Sequence, residues 1–334
     1  MTKPLLEAAA VVVLLLFSIF PRAAADDAYI TVPADARSAI DRALAHLAAT
    51  QESDGSWQTA GRGDATACMS LAALAFMSDG HQPGRGRYGE VVAKALDFVL
   101  ESSQESGLLE YGLPHHAMYS HGFSTLLLAE AWGTSDDPRI RDRLKKAVEL
   151  ILSTQNREGG WRYQPRVADA DISVTVTQIV ALRAAANAGI EVPRDAVERA
   201  VSYLKSCARR DGGFSYQPGS GASGFARTGA ALVSFILAGK GDAPEVEAAL
   251  GYLLKNRAKD ERYYYYGNYY ASQGMHLVGA AQWHEWYSFT ARELVLRQRG
   301  DGSWHGQGEE KIQSTAMAVL VLTIPNGYLP IYQR

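Results

Sequence analysis

Two acidic residues, Asp169 and Asp171, stand directly before a long apolar stretch, Ile172–Ala188. A carboxyl group in such a position can donate or accept a proton when burial shifts its pKa. It can also cap a helix, because the free amides at a helix N-terminus donate hydrogen bonds to it and the positive helix end favours its charge. The residues alone leave both roles open.

Tyrosines form a second group of candidates. The segment Arg262–Tyr270 reads RYYYYGNYY, with six tyrosines in its last eight positions. Their rings would give contact area to a long apolar ligand, and their hydroxyls would orient a polar head. Alternatively, they fill the end of the domain as amphipathic residues at a wet edge. The predicted substrate-binding residues are His116, Tyr119, His121, Ser173, Arg227, Tyr266, Tyr269, Tyr270, Gln273, His276 and Trp286.

The elements that position these residues follow from a repeated motif, Gln-x-x-x-Gly-x-Trp. Full copies occur at Gln51–Trp57, Gln155–Trp161 and Gln298–Trp304. Weaker copies, Ser103–Leu109 and Ala208–Phe214, keep the glycine. We expect the tryptophan to be buried between outer helices, the glycine to permit a tight turn, and the glutamine to bond groups at adjacent helix ends. The motif is therefore predicted to be structural.

The motif spacing defines a repeat. The ring positions 57, 109, 161 and 214 are separated by 52, 52 and 53 residues, and the last gap, to 304, is 90 residues. That gap leaves room for an eroded copy near Asn256–Arg262. A period of about 50 residues is typical of repeat architectures, in which no unit buries its apolar face alone.

Between the motifs, amphipathic segments alternate with segments that are apolar all round. The amphipathic segments are Ala34–Thr50, Tyr88–Ser102, Pro138–Thr154, Pro193–Ala208, Pro244–Lys255 and Trp286–Arg299. The apolar segments are Ala65–Met77, Gly122–Trp132, Ile172–Ala188, Ala226–Ala238, Tyr269–Gln282 and Ile312–Ile324. This pattern predicts an all-α fold, an (α/α)6 toroid of about six helix-pair repeats whose inner helices enclose an axial cavity.

The N-terminus predicts export. Lys3 precedes the apolar run Ala8–Phe20, and Ala23-Ala24-Ala25 then offers a cleavage site. Residues 1–25 are therefore predicted to be a signal peptide and 26–334 a single toroid domain, secreted or periplasmic. The alternative is an uncleaved N-terminal membrane anchor. A net charge of −3 with interspersed signs gives no indication of a nucleic-acid partner, and two cysteines do not form a disulfide framework.

The repeats resemble the QW repeats of the prenyltransferase and squalene-cyclase superfamily, whose fold is the α/α toroid. The resemblance covers essentially the whole chain after residue 25. It implies the fold but does not select an activity, because one fold hosts many functions. Relatives of this fold include class II triterpene cyclases, protein prenyltransferase β-subunits and thioester domains.

The segment Asp169–Leu182 resembles the cyclases' Asp-x-Asp-Asp-Thr box. In those enzymes the middle Asp, held protonated, donates its proton to an alkene or epoxide in a cavity lined by aromatic rings. Aligned through the Ala-Leu pair that follows, Asp171 takes the first acidic position and Thr175 the last, while Ser173 and Val174 replace the other two acids. A shift of two residues makes Asp171 the middle acid, with isoleucine in the third place. The box is incomplete in both alignments.

Other relatives fit less well. The prenyltransferases bind zinc through Asp, Cys and His, with Asp and Cys two positions apart, and no cysteine stands near Asp171. We therefore predict neither a metal nor a cofactor. The Cys-Gly-Glu-Gln run of reactive thioester domains does not occur.

The leading hypothesis is an exported toroid that accommodates an isoprenoid or another long apolar molecule. If it is an enzyme, the resemblance implies cyclase- or transferase-like catalysis, with Asp171 as the acid and Asp169 supporting it. One alternative is a non-catalytic module that binds another protein. Another is a glycan lyase or hydrolase using His116, His121, Arg227 and Tyr266. An aromatic-lined cavity with Asp171 buried beside it would favour the isoprenoid hypothesis. A polar groove would favour glycan chemistry, and a cavity filled by side chains would favour the interaction module.

Overall fold

A computed structural model describes residues 30–59, 65–111, 116–257 and 262–333. The predicted signal peptide lies outside these residues, so export stays a prediction. The described part contains no β-strand, and none of its helices is long and apolar enough to cross a membrane. Its helices are α1 (Ala34–Ala49), α2 (Ala65–Ser78), α3 (Gly89–Glu101), α4 (Ala117–Ala131), α5 (Arg139–Thr154), α6 (Ile172–Asn187), α7 (Arg194–Ser206), α8 (Phe225–Leu237), α9 (Pro244–Asn256), α10 (Tyr264–Val278), α11 (Ala280–Arg297) and α12 (Lys311–Leu322).

The helices form two concentric rings. Each even-numbered helix contacts the next even-numbered one, and α12 contacts α2, so the inner ring is closed. The odd-numbered helices pack outside it, and α1 contacts both α11 and α12 where the outer ring closes. The pattern of side chains explains the layers: α5 buries one stripe, including Ile140, Leu144 and Ile151, whereas α4 is buried on nearly every side. The predicted all-α toroid is confirmed.

The tryptophan of each full motif ties its turn to the preceding outer helix. Trp161 Nε1 donates to the carbonyl of Ile151, ten residues earlier, at 2.7 Å. Trp57 and Trp304 make the same bond at 2.7 and 2.8 Å. Because the indole is buried and its N–H is bonded, the ring contributes apolar area without leaving an unsatisfied donor.

The glutamine joins neighbouring repeats. Gln155 Nε2 donates to Gly159 O in its own turn and to Ala196 O on α7, both at 2.9 Å. Gln51 and Gln298 make the corresponding pairs of bonds to their own turn and to α3 or α1. The predicted role of this residue is confirmed.

The glycine is the part of the motif that every recognisable copy keeps. Gly159 has a φ of +94°, and a Cβ added there would lie 2.2 Å from Arg199 O on the next outer helix. A side chain is therefore excluded twice, by backbone conformation and by the close approach of the two backbones. The same combination holds at Gly55, Gly107, Gly212 and Gly302. The eroded copy falls partly on residues 258–261, outside the described residues.

Three helices begin earlier than the sequence pattern predicts. Helix α4 begins at Ala117 rather than Gly122, α10 at Tyr264 rather than Tyr269, and α11 at Ala280 rather than Trp286. At α10 the reason is a cap from a distant loop. The Glu309 carboxylate accepts hydrogen bonds from Tyr266 N at 2.6 Å and Tyr265 N at 3.3 Å. Most of the tyrosine-rich run is therefore buried helix.

We expect Gly159→Ala to lower the free energy of unfolding by about 3 kcal/mol or more, because it combines backbone strain with a clash against Arg199 O. The matched control is Gly189→Ala, where φ is +80° and nothing lies within 4 Å of the added Cβ. That control carries only the strain, about 1–2 kcal/mol. Chemical denaturation measures both, and equal losses would contradict the close approach as the reason for the glycine.

Candidate active site

A cavity of about 560 Å³ lies where the N-termini of the six inner helices meet. Such a volume suits a small molecule, since ligand pockets span about 300–1,000 Å³. The third residue of each of five inner helices lines it, and α6 contributes its second residue. These six residues are Ala67, Tyr119, Ser173, Arg227, Tyr266 and Gln313. The prediction that segments entering the inner helices form the rim of a cavity is confirmed.

The cavity wall combines apolar residues with polar and aromatic ones. Helices α2 and α4 contribute the apolar residues Ala67, Cys68, Leu71 and Phe123. The polar and aromatic lining residues include His116, Tyr119, Tyr163, Ser173, Tyr216, Arg227 and Tyr266. A ligand with an apolar chain and a polar end fits such a wall. No carboxylate belongs to the lining residues.

Asp171 lies beside this wall as the N-cap of α6, with its side chain fully buried. Its Oδ1 accepts hydrogen bonds from Ser173 N at 2.9 Å and Val174 N at 3.0 Å. The repeat motif fixes its backbone, because Asp171 N donates to Trp161 O at 3.0 Å and Trp161 N donates to Thr175 Oγ1 at 3.1 Å. The same turn that builds the fold thus places this carboxyl group.

The second carboxyl oxygen of Asp171 is not used by the cap. Its Oδ2 lies 3.4 Å from Arg162 Nε and near the Tyr216 hydroxyl, without a hydrogen bond of good geometry from the described residues. Burial raises the pKa of Asp171 to about 6, although the Val174 amide and the Arg162 charge oppose the shift. The two roles left open by the sequence therefore coincide: one oxygen caps α6, and the other is available to carry a proton.

Aromatic rings surround this carboxyl group. The His116 ring centre lies 4.8 Å from that of Tyr163, and Tyr119 lies 6.1 Å from Tyr163. The hydroxyls of Tyr163 and Tyr216 are hydrogen-bonded to each other. The Arg162 guanidinium lies over both rings, at 4.9 and 5.5 Å from their centres.

Sequence reasoning missed Tyr163 and Tyr216, although a signal was present. Each stands two residues after the ring of a repeat motif, at Trp161 and Phe214. Tyr111 holds the same place in the weaker copy that ends at Leu109. Because each repeat turn leads towards the start of an inner helix, residues just after the motif can reach the cavity, as Tyr163 and Tyr216 do, whereas Tyr111 is exposed and does not line it.

Tyr266 belongs to the cavity as predicted. Its hydroxyl is buried near the side chains of Tyr119, Ser173 and Tyr270. Burial raises its pKa well above the usual value, so the phenol stays neutral and keeps its proton to donate. Tyr269, Tyr270 and Gln273 lie deeper along α10, where Gln273 Nε2 donates to Tyr269 O at 3.0 Å.

Three other predicted residues occupy packing positions and do not line the cavity. His121 is fully buried, with Nδ1 accepting from Leu109 N at 3.2 Å and Nε2 bonded to Ala147 O at 3.1 Å, and burial lowers its pKa to about 4. His276 Nε2 bonds Tyr332 O at 3.1 Å, and Trp286 Nε1 donates to a serine on α10 at 2.9 Å. His121 lies deep because α4 begins five residues earlier than predicted.

Arg227 lines the cavity at the start of α8. Its Nη2 donates to Ala222 O at 3.0 Å and its Nε to Phe214 O at 3.3 Å. No carboxylate of the described residues pairs with it, so its charge faces the cavity without a counter-ion. The α8 N-cap, Gly224, provides no side-chain cap either. No group of three or more metal-ligating side chains occurs among the described residues.

We expect the stability of the wild type to fall, relative to Asp171→Asn, as the pH rises. The pKa of Asp171 is about 6 in the folded protein against 3.8 for a free side chain, so the folded state holds the proton more tightly. Protonation of Asp171 therefore adds ~3 kcal/mol to the free energy of unfolding below about pH 4, and this stabilisation is lost as the pH rises through about 6. Urea denaturation at about pH 4 and pH 8 measures it. If the free energies of unfolding of the wild type and Asp171→Asn differ by the same amount at both pH values, the raised pKa of Asp171 is contradicted.

Comparison with known proteins relates the chain to terpene cyclases. Residues 124–285 match the squalene-hopene cyclase C-terminal domain. The drimenyl diphosphate synthase of Streptomyces showdoensis is 27% identical over 183 residues, which cover 54% of this chain and 33% of that protein. The enzyme of the same name from Streptantibioticus cattleyicolor is 28% identical over 186 residues, with the same shares covered. The chain thus matches about a third of the length of these relatives.

Solved structures share the fold at low identity. A variant of the type II terpene cyclase MstE from Scytonema, in complex with its substrate geranylgeranyl dihydroxybenzoate, aligns with a TM-score of 0.61 and 16% identity over 88% of this chain and 98% of that chain. An inactive α-1,6-mannanase variant of Salegentibacter sp. aligns with a TM-score of 0.63 and 8% identity over 87% and 98%. The repeats, the closed double ring of helices and the squalene-hopene cyclase match together confirm the predicted resemblance to the prenyltransferase/squalene-cyclase superfamily of α/α toroids.

Proposed function

We propose that this protein is a terpene cyclase that uses Asp171 as a general acid on an isoprenoid bound in the axial cavity. The observation that carries the proposal is the fully buried Asp171 carboxyl, with one oxygen that the helix cap does not use, next to a cavity lined by aromatic rings. Such a group is partly protonated near neutral pH because its pKa is about 6.

The proposed step is a proton transfer that needs no cofactor. The Asp171 O–H bond breaks, and the π electrons of a terminal alkene, or a lone pair of an epoxide oxygen, take the proton. The positive charge then forms on carbon and is attacked by the next alkene of the same chain, which closes a ring. Loss of a proton from carbon to a base ends the reaction, so an alkene substrate is isomerised overall.

The cavity wall suits the charged intermediate. The rings of Tyr119, Tyr163 and Tyr266 line it, and aromatic faces attract cations. Their hydroxyls remain neutral, because burial raises the pKa of each. The apolar residues of α2 and α4 would hold the hydrocarbon chain and exclude water.

One finding supports a single toroid as the catalytic unit. The MstE chain is matched over nearly its whole length by this one toroid, and its structure holds a geranylgeranyl compound. The relatives matched over a third of their length are named for a diphosphate product, which supports a diphosphate substrate. The glycan alternative is less well supported, because glycoside hydrolysis uses two facing carboxylates and the cavity lining contains none.

Arg227 is proposed to hold a negatively charged end of the substrate. It is a cavity-lining cation without a carboxylate partner, and it stands at a helix N-terminus without a side-chain cap. Both features favour an anion. We therefore propose a prenyl diphosphate, with its head at Arg227 and its chain along α2 and α4.

We expect Asp171→Asn to lose turnover by about 10²–10⁴-fold, the usual contribution of general acid catalysis, while substrate binding persists. The amide retains an oxygen for the α6 cap but cannot donate an acidic proton. Gas chromatography–mass spectrometry of cyclic products from farnesyl and geranylgeranyl diphosphate measures turnover. Asp54→Asn is the matched control, because that carboxylate also accepts a backbone amide hydrogen bond but lies in an exposed turn. Full activity of Asp171→Asn would contradict the acid role.

We expect Arg227→Met to weaken binding of a prenyl diphosphate by about tenfold or more, since a charge-assisted contact contributes roughly 1.5–3 kcal/mol. Binding of the matching prenyl alcohol should change little, because the alcohol has no charge to lose. Calorimetry with both ligands separates the two effects. Arg210→Met, on an exposed turn, serves as the control. Equal weakening of both ligands would indicate that Arg227 only supports the loop it bonds.

A further inference from the structure

We propose that Asp169 is a positioning residue, which holds the Arg162 guanidinium away from full pairing with Asp171 so that Asp171 keeps its proton. The inference rests on the proposed role of Asp171 as an acid. It gives Asp169 a role distinct from proton transfer, because its side chain is 63% exposed and lies on the solvent side of Arg162.

The geometry shows one cation between two carboxylates. Arg162 Nη1 lies 2.7 Å from Asp169 Oδ2, a full charge-assisted hydrogen bond. On its other side, Arg162 Nε lies 3.4 Å from Asp171 Oδ2, which is too long for a strong bond. The guanidinium therefore forms its strong hydrogen bond with the exposed Asp169 carboxylate and only approaches the buried Asp171 carboxyl group.

The rings beneath Arg162 help to hold this position. The guanidinium carbon lies 4.9 Å from the Tyr163 ring centre and 5.5 Å from that of Tyr216. Cation–π contacts with two rings keep the group flat over them. Without Asp169, the guanidinium would have one carboxylate left in reach, the free oxygen of Asp171. Full pairing there would favour the ionised carboxylate and remove the acid.

No other charged group competes for this role among the described residues that face Asp171. The remaining titratable neighbours have pKa values raised by burial and are uncharged near neutral pH. They are Tyr119, Tyr163, Tyr203, Tyr216, Tyr266 and Cys207. Burial therefore favours the proton on Asp171, while the Val174 amide, the Arg162 charge, the Tyr216 hydroxyl and the Ser173 amide oppose it, and Arg162 is the one charged group in this set.

The test is a direct titration of Asp171 that does not depend on turnover. Carbon-13 NMR of protein labelled at aspartate carboxyls follows its signal with pH, and Asp171→Asn assigns that signal. We expect Asp169→Asn to weaken proton binding at Asp171 about tenfold or more and Arg162→Met to strengthen it. In the Arg162→Met background, Asp169→Asn should have little further effect, because the influence passes through Arg162. Asp195→Asn, exposed on α7, should change nothing.

Two results would overturn the inference. One is an unchanged Asp171 titration in Asp169→Asn, and the other is an equal effect of Asp169→Asn with and without Arg162, which would indicate direct action of its charge. Failure of the proposed function is separate: it would appear as absence of cyclic product from the wild type, whatever the titration shows. If product forms, the alkaline limb of the pH–rate profile, where Asp171 loses its proton, should move to lower pH in Asp169→Asn.

Discussion

The close approach of each turn glycine to the backbone of the next outer helix is the contact on which the whole ring depends. At Gly159 the two backbones meet so closely that even a methyl group would overlap Arg199 O, and the Gln155 amide bridges the same pair of repeats. Repeating this contact fixes the rotation from one repeat to the next. Because the last such turn, at Gly302, meets α1, the ring closes without an exposed end.

The same turns determine where chemistry can occur. Each leads from the end of an outer helix to the start of an inner one, so all the inner helices begin at one end of the toroid. Their first turns surround the cavity, and their positive ends point towards it. Asp171 is both a cap for one of these helices and a neighbour of the cavity, and Trp161 of the repeat holds its backbone. The structural motif and the candidate acid are therefore parts of one turn.

The sequence predicted the fold well because its main signals are local and repeated. Glycine at fixed spacing and the alternation of one-sided and all-round apolar helices depend only on nearby residues. The cavity was predicted less completely. The start of α10 depends on Glu309, which lies over 40 positions away and caps the tyrosine-rich helix. His121 and His276 read as rim residues but bond backbone carbonyls within the packed structure. Arg162 was missed, because its importance arises only where the chain brings it between Asp169 and Asp171.

The central claim is that the Asp171 carboxyl delivers a proton to carbon within a single toroid. The most direct measurement is incubation of the purified protein with farnesyl and geranylgeranyl diphosphate in deuterated water, followed by mass spectrometry and NMR of the product. The account predicts a cyclic product with one deuterium on the carbon that was protonated, because the carboxyl proton exchanges with solvent. A cyclic product without deuterium, or recovery of unchanged linear substrate at every pH tested, would contradict it.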